Sequence, residues 1–264
     1  MDVDNPPRVI VVTSPAPGDG KSTIAANLAT TIAASGQPTV LIDADLRRPM
    51  VAKIFGLPAG GGVRDVLAGR APLRDVVHGW SGSPDLQILT AGKVPPNPSE
   101  VLGSARMKSL LATLSKNWLV IIDAPPLLAV TDAAILTNRA DGAFVVASVG
   151  GTTYESLGRA LGVLERANAR TMGVILNRVP RGRGGYGYEY EYRYEYTAAN
   201  AAAESPASAS ATPPGPTRTR STIDRDDLTT DRAEADFAEF QSLMDTADPL
   251  ANTDPRKATG PTAR

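Results

Sequence analysis

The chain has 264 residues, of which 42% are hydrophobic, and a formal net charge of −1. This length allows one or two domains, and the near-neutral charge gives no electrostatic reason to expect a nucleic-acid partner. The absence of cysteine excludes disulfides and thiolate chemistry, and a single histidine argues against a histidine-rich zinc site. No apolar run reaches the ~18 residues of a bilayer span, and no leader precedes the first predicted strand, so we expect a cytoplasmic protein.

The first predicted strand, residues 8–13, is a β-branched run that leads into a Gly/Pro-rich loop and then a helix. The loop ends in Gly-Lys-Ser, and this order of strand, loop and helix is typical of a phosphate-binding loop. Lys21 would reach the β- and γ-phosphates, and the Ser22 hydroxyl would bind Mg²⁺. The sequence therefore predicts a site for a nucleoside triphosphate. Its nucleotide-binding residues are Pro17, Gly18, Asp19, Gly20, Lys21, Ser22 and Thr23.

The second predicted strand, residues 38–42, ends in two carboxylates, Asp43 and Asp45. Two acids at this spacing after a buried strand can both face the γ-phosphate. One could join the Mg²⁺ shell while the other accepts a proton from an attacking hydroxyl. The alternative is a turn whose acids are neutralised by Arg47 and Arg48.

The middle of the chain predicts smaller elements. We expect two short helical pieces around Val66 and Val76, a weak strand over residues 86–90, and a helix that Ser99 caps and that runs to about Leu114. The single histidine, His78, is expected at the surface before a turn.

A fourth predicted strand, residues 118–122, ends at Asp123. A carboxylate at this position beside a phosphate-binding loop holds the Mg²⁺ shell in P-loop enzymes, although an isolated strand-end aspartate is more often a helix cap or a turn former. A helix over 131–138, a strand over 142–149, a helix over 154–168 and a strand over 171–176 complete the predicted elements.

Alternating strands and helices predict an α/β fold, a mostly parallel sheet of the P-loop NTPase type with helices on both faces. The acidic motifs fall at the carboxyl ends of strands, where such sheets bind ligands. We expect this domain over residues 1–180, a tyrosine-rich cluster over 181–196, and a disordered tail over 197–264 that contains a short helix over 231–245.

The tyrosine cluster holds six of the seven tyrosines at strict alternation. Period two suggests a strand with an aromatic face. The other positions are Gly, Glu and Arg, however, and buried aromatic rings need a partner surface that the sequence does not reveal. The pattern favours a phosphorylation substrate over an aggregation-prone strand or an aromatic docking patch. The expected phosphoacceptors are Tyr186, Tyr188, Tyr190, Tyr192, Tyr194 and Tyr196.

Taken together, residues 14–22, 40–49, 92–103 and 120–126 and the tyrosine cluster resemble the bacterial tyrosine autokinases that partner capsular and exopolysaccharide assembly. The resemblance implies tyrosine autophosphorylation that depends on Mg²⁺ and ATP. It implies that Lys21, Asp43 and Asp45 are catalytic, that Ser22, Asp43 and Asp123 hold the metal, and that Asn177 contacts adenine.

The resemblance also implies a membrane polysaccharide co-polymerase that activates the chain and holds it at the inner face of the membrane. Further copies of the chain and a cognate tyrosine phosphatase are the other expected partners. Two alternatives remain: a non-kinase ATP switch of the same machinery, and a positioning ATPase of the Min or partition type. Ala16 disfavours the second, because that group carries a lysine at this position.

Overall fold

The computed structural model describes residues 6–180. The predicted tyrosine cluster, the predicted disordered tail and the predicted helix over 231–245 lie outside the described residues. Among residues 6–180, no helix is both long enough and apolar enough to cross a lipid bilayer.

A seven-stranded sheet forms the centre of the described domain, in the order β3-β4-β2-β5-β1-β6-β7. All neighbouring strands are parallel except β3 and β4, which are antiparallel. The mostly parallel sheet predicted from the sequence is therefore confirmed. The strands are β1 (Val9–Thr13), β2 (Thr39–Asp43), β3 (Val77–Trp80), β4 (Ser83–Leu89), β5 (Leu119–Asp123), β6 (Gly142–Ser148) and β7 (Thr171–Asn177).

Helices cover both faces of this sheet. One face packs against α1, whose buried side is built from alanines and so lets the helix lie close to the strands; the other packs mainly against α5, α6 and α7. The helices are α1 (Lys21–Ala34), α2 (Val51–Phe55), α3 (Val63–Leu67), α4 (Pro98–Gly103), α5 (Ala105–Leu114), α6 (Asp132–Thr137) and α7 (Tyr154–Arg166), with a 3₁₀ turn at Leu73–Asp75.

Strand β1 shows why the central strands read as continuous apolar runs. Val9 and Val11 belong to the core on one face of the sheet, and Ile10 and Val12 belong to the core on the other. Both faces are buried, so every position favours an apolar side chain. The register then places the acidic strand ends together, with Asp43 of β2 opposite Asp123 of β5.

Three sequence-based expectations were wrong in detail. The helix expected from Ser99 to Leu114 is divided into α4 and α5, because Ser104 has an extended backbone and caps α5 through the Met107 N–H. The helical piece expected around Val76 is only the 3₁₀ turn, and the strand β3 that follows it was not predicted. His78 lies within this strand rather than before a turn. The short helix α2 was also missed.

Candidate active site

The loop between β1 and α1 leaves the N-terminus of α1 open to an anion. Gly18 and Gly20 both have left-handed backbones, with φ of 92° and 95°. Gly20 is the N-cap residue and offers no side-chain hydrogen bond to the first turn of the helix. The N–H groups of this first turn have no partner within the helix, so they are available to phosphate oxygens.

The side chain of Asp19 stabilises this loop by hydrogen bonds. Its Oδ2 accepts a hydrogen bond from the Ala16 N–H at 3.1 Å, and its Oδ1 accepts from the hydroxyls of Ser148 and Thr152, each at 2.8 Å. Because three donors engage the carboxylate, a nucleotide would meet Asp19 through its backbone. Sequence reasoning missed Ser148 and Thr152, since the local sequence around these hydroxyl residues gives no sign of a partner some 130 positions away.

Asn177, at the end of β7, contacts the same loop. Its Nδ2 donates to the Asp19 carbonyl at 2.9 Å, and its Oδ1 accepts from the Arg178 N–H at 2.8 Å. A side chain at Gly20 would collide with the Asn177 amide, which explains the requirement for glycine there. Asn177 therefore supports the loop, and its predicted contact with adenine stays a prediction.

The predicted catalytic lysine lies between two of the predicted carboxylates. Lys21 Nζ is 2.8 Å from Asp45 Oδ2 and 3.2 Å from Asp123 Oδ1, and it also donates to Ser22 Oγ at 3.1 Å. The three charged side chains are buried, with exposed fractions of 10%, 5% and 0% for Lys21, Asp45 and Asp123. We refer to Lys21, Asp45 and Asp123 as the Lys21 cluster.

The charges and the burial of this cluster shift the pKa values of Lys21 and Asp123. Burial by itself lowers the pKa of Lys21, but the carboxylates of Asp123 and Asp45 outweigh it and raise the pKa above its ordinary value. Burial raises the pKa of Asp123, and the charge of Lys21 opposes this rise. The cluster thus contains two carboxylates and one cation, all three of them buried.

Asp43 lies beside this cluster and holds the loop that follows β2. Its Oδ2 accepts from the Met50 and Val51 N–H groups at the start of α2, at 3.0 and 2.9 Å, and its Oδ1 accepts from the Asp45 N–H at 3.2 Å. Burial, together with the nearby charge of Asp123, raises the pKa of Asp43 to about 7. Oδ1 is the atom that keeps capacity for a further ligand.

The donor set fits a Mg²⁺ ion bound together with a nucleotide. Asp123 Oδ2 is a buried oxygen that has no hydrogen-bond partner among residues 6–180, and the Ser22 hydroxyl lies next to Lys21 in the same site. Within residues 6–180, no three acidic or histidine side chains form a complete metal cage. Mg²⁺ normally needs only one or two carboxylates, because phosphate and water oxygens supply its other ligands.

Arg47 does not neutralise the two aspartates, as the alternative interpretation required. Its Nε is 2.8 Å from Asp132 Oδ2 on α6, and its second guanidinium nitrogen is 3.3 Å from Asp132 Oδ1. The Ser99 hydroxyl also donates to Asp132 Oδ1. Arg48 contacts Asp45 through its backbone N–H. We call Arg47, Ser99 and Asp132 the Arg47 clasp; it ties the loop after β2 to α4 and α6.

Comparison with known proteins identifies the class of the fold and site. Residues 10–195 match the family model of the CobQ/CobB/MinD/ParA nucleotide binding domain. The cell division ATPase MinD of Pyrococcus furiosus superposes with a TM-score of 0.54 at 25% identity, covering 66% of this chain and 73% of that one. The described domain is therefore a P-loop nucleotide-binding domain of this class.

The more similar relatives are kinases. The chain is 42% identical over 176 residues to the tyrosine-protein kinase YwqD of Bacillus subtilis, and the alignment covers 66% of this chain and 74% of that protein. The kinase domain of the Escherichia coli tyrosine kinase ETK superposes with a TM-score of 0.65 at 36% identity, covering 72% of this chain and 74% of that domain. The chain belongs to the family of bacterial tyrosine-protein kinases.

Several relatives are much longer than the matched region. The alignment with the tyrosine-protein kinase etk of Escherichia coli K12 extends over 180 residues at 36% identity but covers only 24% of that protein. The similarity to such relatives is therefore confined to about a quarter of their length.

Proposed function

We propose that this chain is a protein-tyrosine autokinase that transfers the γ-phosphoryl group of ATP to the tyrosines of its C-terminal cluster. The observation that supports this most directly is the Lys21 cluster at the open N-terminus of α1. A cation for the phosphates, a carboxylate with an unused oxygen for the metal, and a second carboxylate for the proton lie within one buried site.

Each residue of the site has a role in this proposal. Lys21 and the first-turn N–H groups of α1 bind the phosphate oxygens and stabilise the charge that develops during transfer. Ser22 and Asp123 would hold a Mg²⁺ ion, which would neutralise phosphate charge. Asp43 keeps the loop after β2 in place through the backbone of α2, so that Asp45 faces the site.

The proton balance assigns a role to Asp45. A tyrosine hydroxyl has a pKa near ~10, so the acceptor enters the site neutral. The tyrosine oxygen forms a bond to the γ-phosphorus, the bond from this phosphorus to the ADP oxygen breaks, and the tyrosine proton passes late to Asp45. Asp45 Oδ2 lies 2.8 Å from Lys21 Nζ, the group that would bind the same phosphoryl group.

The tyrosine cluster follows β7 in the chain, and β7 ends at the edge of the sheet that carries the phosphate-binding loop. Eleven extended residues span roughly 35 Å. This length allows a tyrosine to reach the site of its own chain or that of a second copy.

The setting of this activity follows from the family resemblance. We place the kinase at the inner face of the cell membrane, held there by a membrane polysaccharide co-polymerase that activates it. There it would regulate capsular or extracellular polysaccharide polymerisation or export, and a cognate phosphatase would reset it.

A phosphotyrosine assay tests the proposal. The purified full chain, alone and with the cytoplasmic segment of its membrane partner, is incubated with ATP and with or without Mg²⁺, and the products are mapped by mass spectrometry. We expect label on the cluster tyrosines only when Mg²⁺ is present. A control in which the six cluster tyrosines are replaced by phenylalanine should hydrolyse ATP without retaining label. ATP hydrolysis without phosphotyrosine in the wild-type chain would instead support the ATP switch.

A further inference from the structure

Asp19 is the one residue between the two left-handed glycines of the phosphate-binding loop. Gly18 and Gly20 have φ of 92° and 95°, and glycine adopts such conformations, and many others, at little steric cost. The intrinsic preferences of the backbone therefore do not select one shape for this loop, and contacts to the rest of the domain have to do so. Asp19 makes such contacts and is only 4% exposed.

The partners of Asp19 come from the carboxyl ends of β6 and β7. The hydroxyls of Ser148 and Thr152 each donate to Asp19 Oδ1 at 2.8 Å, and Asn177 Nδ2 donates to the Asp19 carbonyl at 2.9 Å. Within residues 6–180, no cation forms an ion pair with this carboxylate, so hydrogen bonds stabilise its buried charge. A carboxylate stabilised in this way strongly favours the one position in which its donors meet it.

The turn that follows β6 directs both hydroxyls at Asp19. Thr152 Oγ1 accepts a hydrogen bond from the Ser148 N–H at 2.9 Å, which leaves the hydroxyl proton of Thr152 for Asp19. The N–H groups of Gly151 and Thr152 donate to the Ser148 carbonyl at 3.1 and 2.9 Å and close the turn. A Cβ atom at Gly151 would lie 2.4 Å from Ser148 Oγ, so glycine at this position leaves the serine hydroxyl where it is. The turn thus fixes both donors relative to the end of β6.

We propose that Ser148 and Thr152 are positioning residues for the nucleotide. They hold Asp19, and through Asp19 they hold the backbone of the phosphate-binding loop in the shape that binds phosphate. A loop that is already fixed in its binding shape raises affinity, because less ordering is required when the ligand binds. The proposal rests on the nucleotide site that the proposed function uses, but it does not depend on tyrosine as the phosphoryl acceptor, so the two can fail separately.

The affinity of the full chain for Mg-ADP tests this role. Calorimetric titration measures the Kd at a temperature at which every variant is folded. The double variant Ser148→Ala, Thr152→Val removes both hydroxyls with little change in volume, and we expect the Kd to rise by about tenfold. Thr152→Ser keeps its hydroxyl and should bind Mg-ADP as the wild-type chain does.

Thr153→Val is the matched control from the same turn. The Thr153 hydroxyl caps α7 by accepting a hydrogen bond from the Ser156 N–H at 3.1 Å. Loss of this cap should lower the melting temperature and leave the Kd for Mg-ADP unchanged. This control separates a positioning role from general stabilisation of the turn.

Amide exchange without nucleotide, measured by NMR, reports on the loop itself. The Ala16 N–H donates to Asp19 Oδ2 at 3.1 Å. We expect it to exchange about tenfold faster in the double variant, because the carboxylate loses two of its donors, while β1 stays protected. An unchanged Kd or an unchanged Ala16 exchange rate in the double variant would overturn the proposal, whatever the yield of phosphotyrosine. An equal rise of the Kd in Thr153→Val or in Thr152→Ser would overturn it too.

Discussion

Two groups of charged residues contain buried carboxylates and include a residue of the loop that follows β2, and they differ in how completely the carboxylates are hydrogen-bonded. In the Arg47 clasp, one guanidinium meets one carboxylate, and both oxygens of Asp132 have hydrogen-bond partners. In the Lys21 cluster, one ammonium meets two carboxylates, Asp43 lies nearby, and Asp123 Oδ2 has no hydrogen-bond partner in the described part of the chain. A buried polar atom without a partner is costly, and a bound ligand can supply the missing partner.

This difference distinguishes a group of charged residues that stabilises the fold from a group that can bind a ligand. The clasp is balanced in charge and saturated in hydrogen bonds, so it can hold three elements together but has nothing left for a ligand. The Lys21 cluster has an excess of negative charge and a free oxygen, and it lies at the positive end of a helix dipole. A divalent cation and phosphate oxygens would complete it.

The largest effect is expected for Lys21→Met. Removal of the phosphate-binding charge should lower autophosphorylation by about 10²- to 10³-fold, the usual effect of losing one donor to a developing negative charge. The variant also leaves Asp45 and Asp123 buried without their cation, so we expect its melting temperature to fall. Phosphotyrosine assays and thermal melts measure these two effects.

Lys53→Met is the matched control for this variant, because Lys53 is an exposed lysine on α2 outside the site. It should retain both activity and melting temperature. If Lys21→Met kept near-normal activity, Lys21 would belong with the structural clasp, and the contrast between the two groups would fail.

The intermediate effect concerns Asp43 and the pH dependence of stability. The pKa of Asp43 in the folded chain is about 7, above its ordinary value of 3.8. The folded chain therefore keeps a proton that the unfolded chain releases, so the free energy of unfolding should fall as the pH rises from about 4 to about 7 and then level off. This one group contributes a slope of at most about 1.4 kcal/mol per pH unit. Asp43→Asn should flatten the decline, as measured by urea unfolding without nucleotide.

Asp141→Asn provides the comparison for this measurement. Asp141 is an exposed carboxylate that also accepts two backbone hydrogen bonds, from Arg8 and Val9, through its Oδ2. This substitution should leave the decline between pH 4 and 7 in place. An unchanged decline in Asp43→Asn would show that other groups carry it.

The sequence predicted the parts of the fold and site that depend on local patterns, and it missed the parts that depend on contacts between distant residues. Asp43, Asp45 and Asp123 were predicted because each follows a buried strand, and parallel strands bring their carboxyl ends to one edge of the sheet. The fold class followed from the alternation of strands and helices. The carboxylate excess around Lys21 was visible as soon as these positions were combined.

The features that sequence reasoning missed depend on contacts between distant residues. Arg47 and Asp132 are 85 positions apart, and Asp132 alone reads as an ordinary acid in the first turn of a helix. Strand β3 has only four residues and includes a glycine, so it owes its form to pairing with β4 rather than to its own propensity.

The smallest effect is expected for the clasp. Arg47→Gln leaves the fully buried Asp132 with the Ser99 hydroxyl but without its cation, and we expect the free energy of unfolding to fall by about 1 kcal/mol. A larger loss is not expected, because the Arg47 side chain is 41% exposed and solvent screens its charge. Arg48→Gln is the adjacent control, since only the backbone of Arg48 contacts an acid of the site, and it should change stability little. A double-mutant cycle with Asp132→Asn should recover most of the loss as coupling between the two side chains. If Arg48→Gln cost as much as Arg47→Gln, or the cycle showed no coupling, the clasp would not be a structural unit.

The activity of Arg47→Gln tests the same distinction. If this variant lost as much autophosphorylation as Lys21→Met, Arg47 would take part in the chemistry. The contrast between carboxylates with and without free oxygens would then no longer separate the two groups.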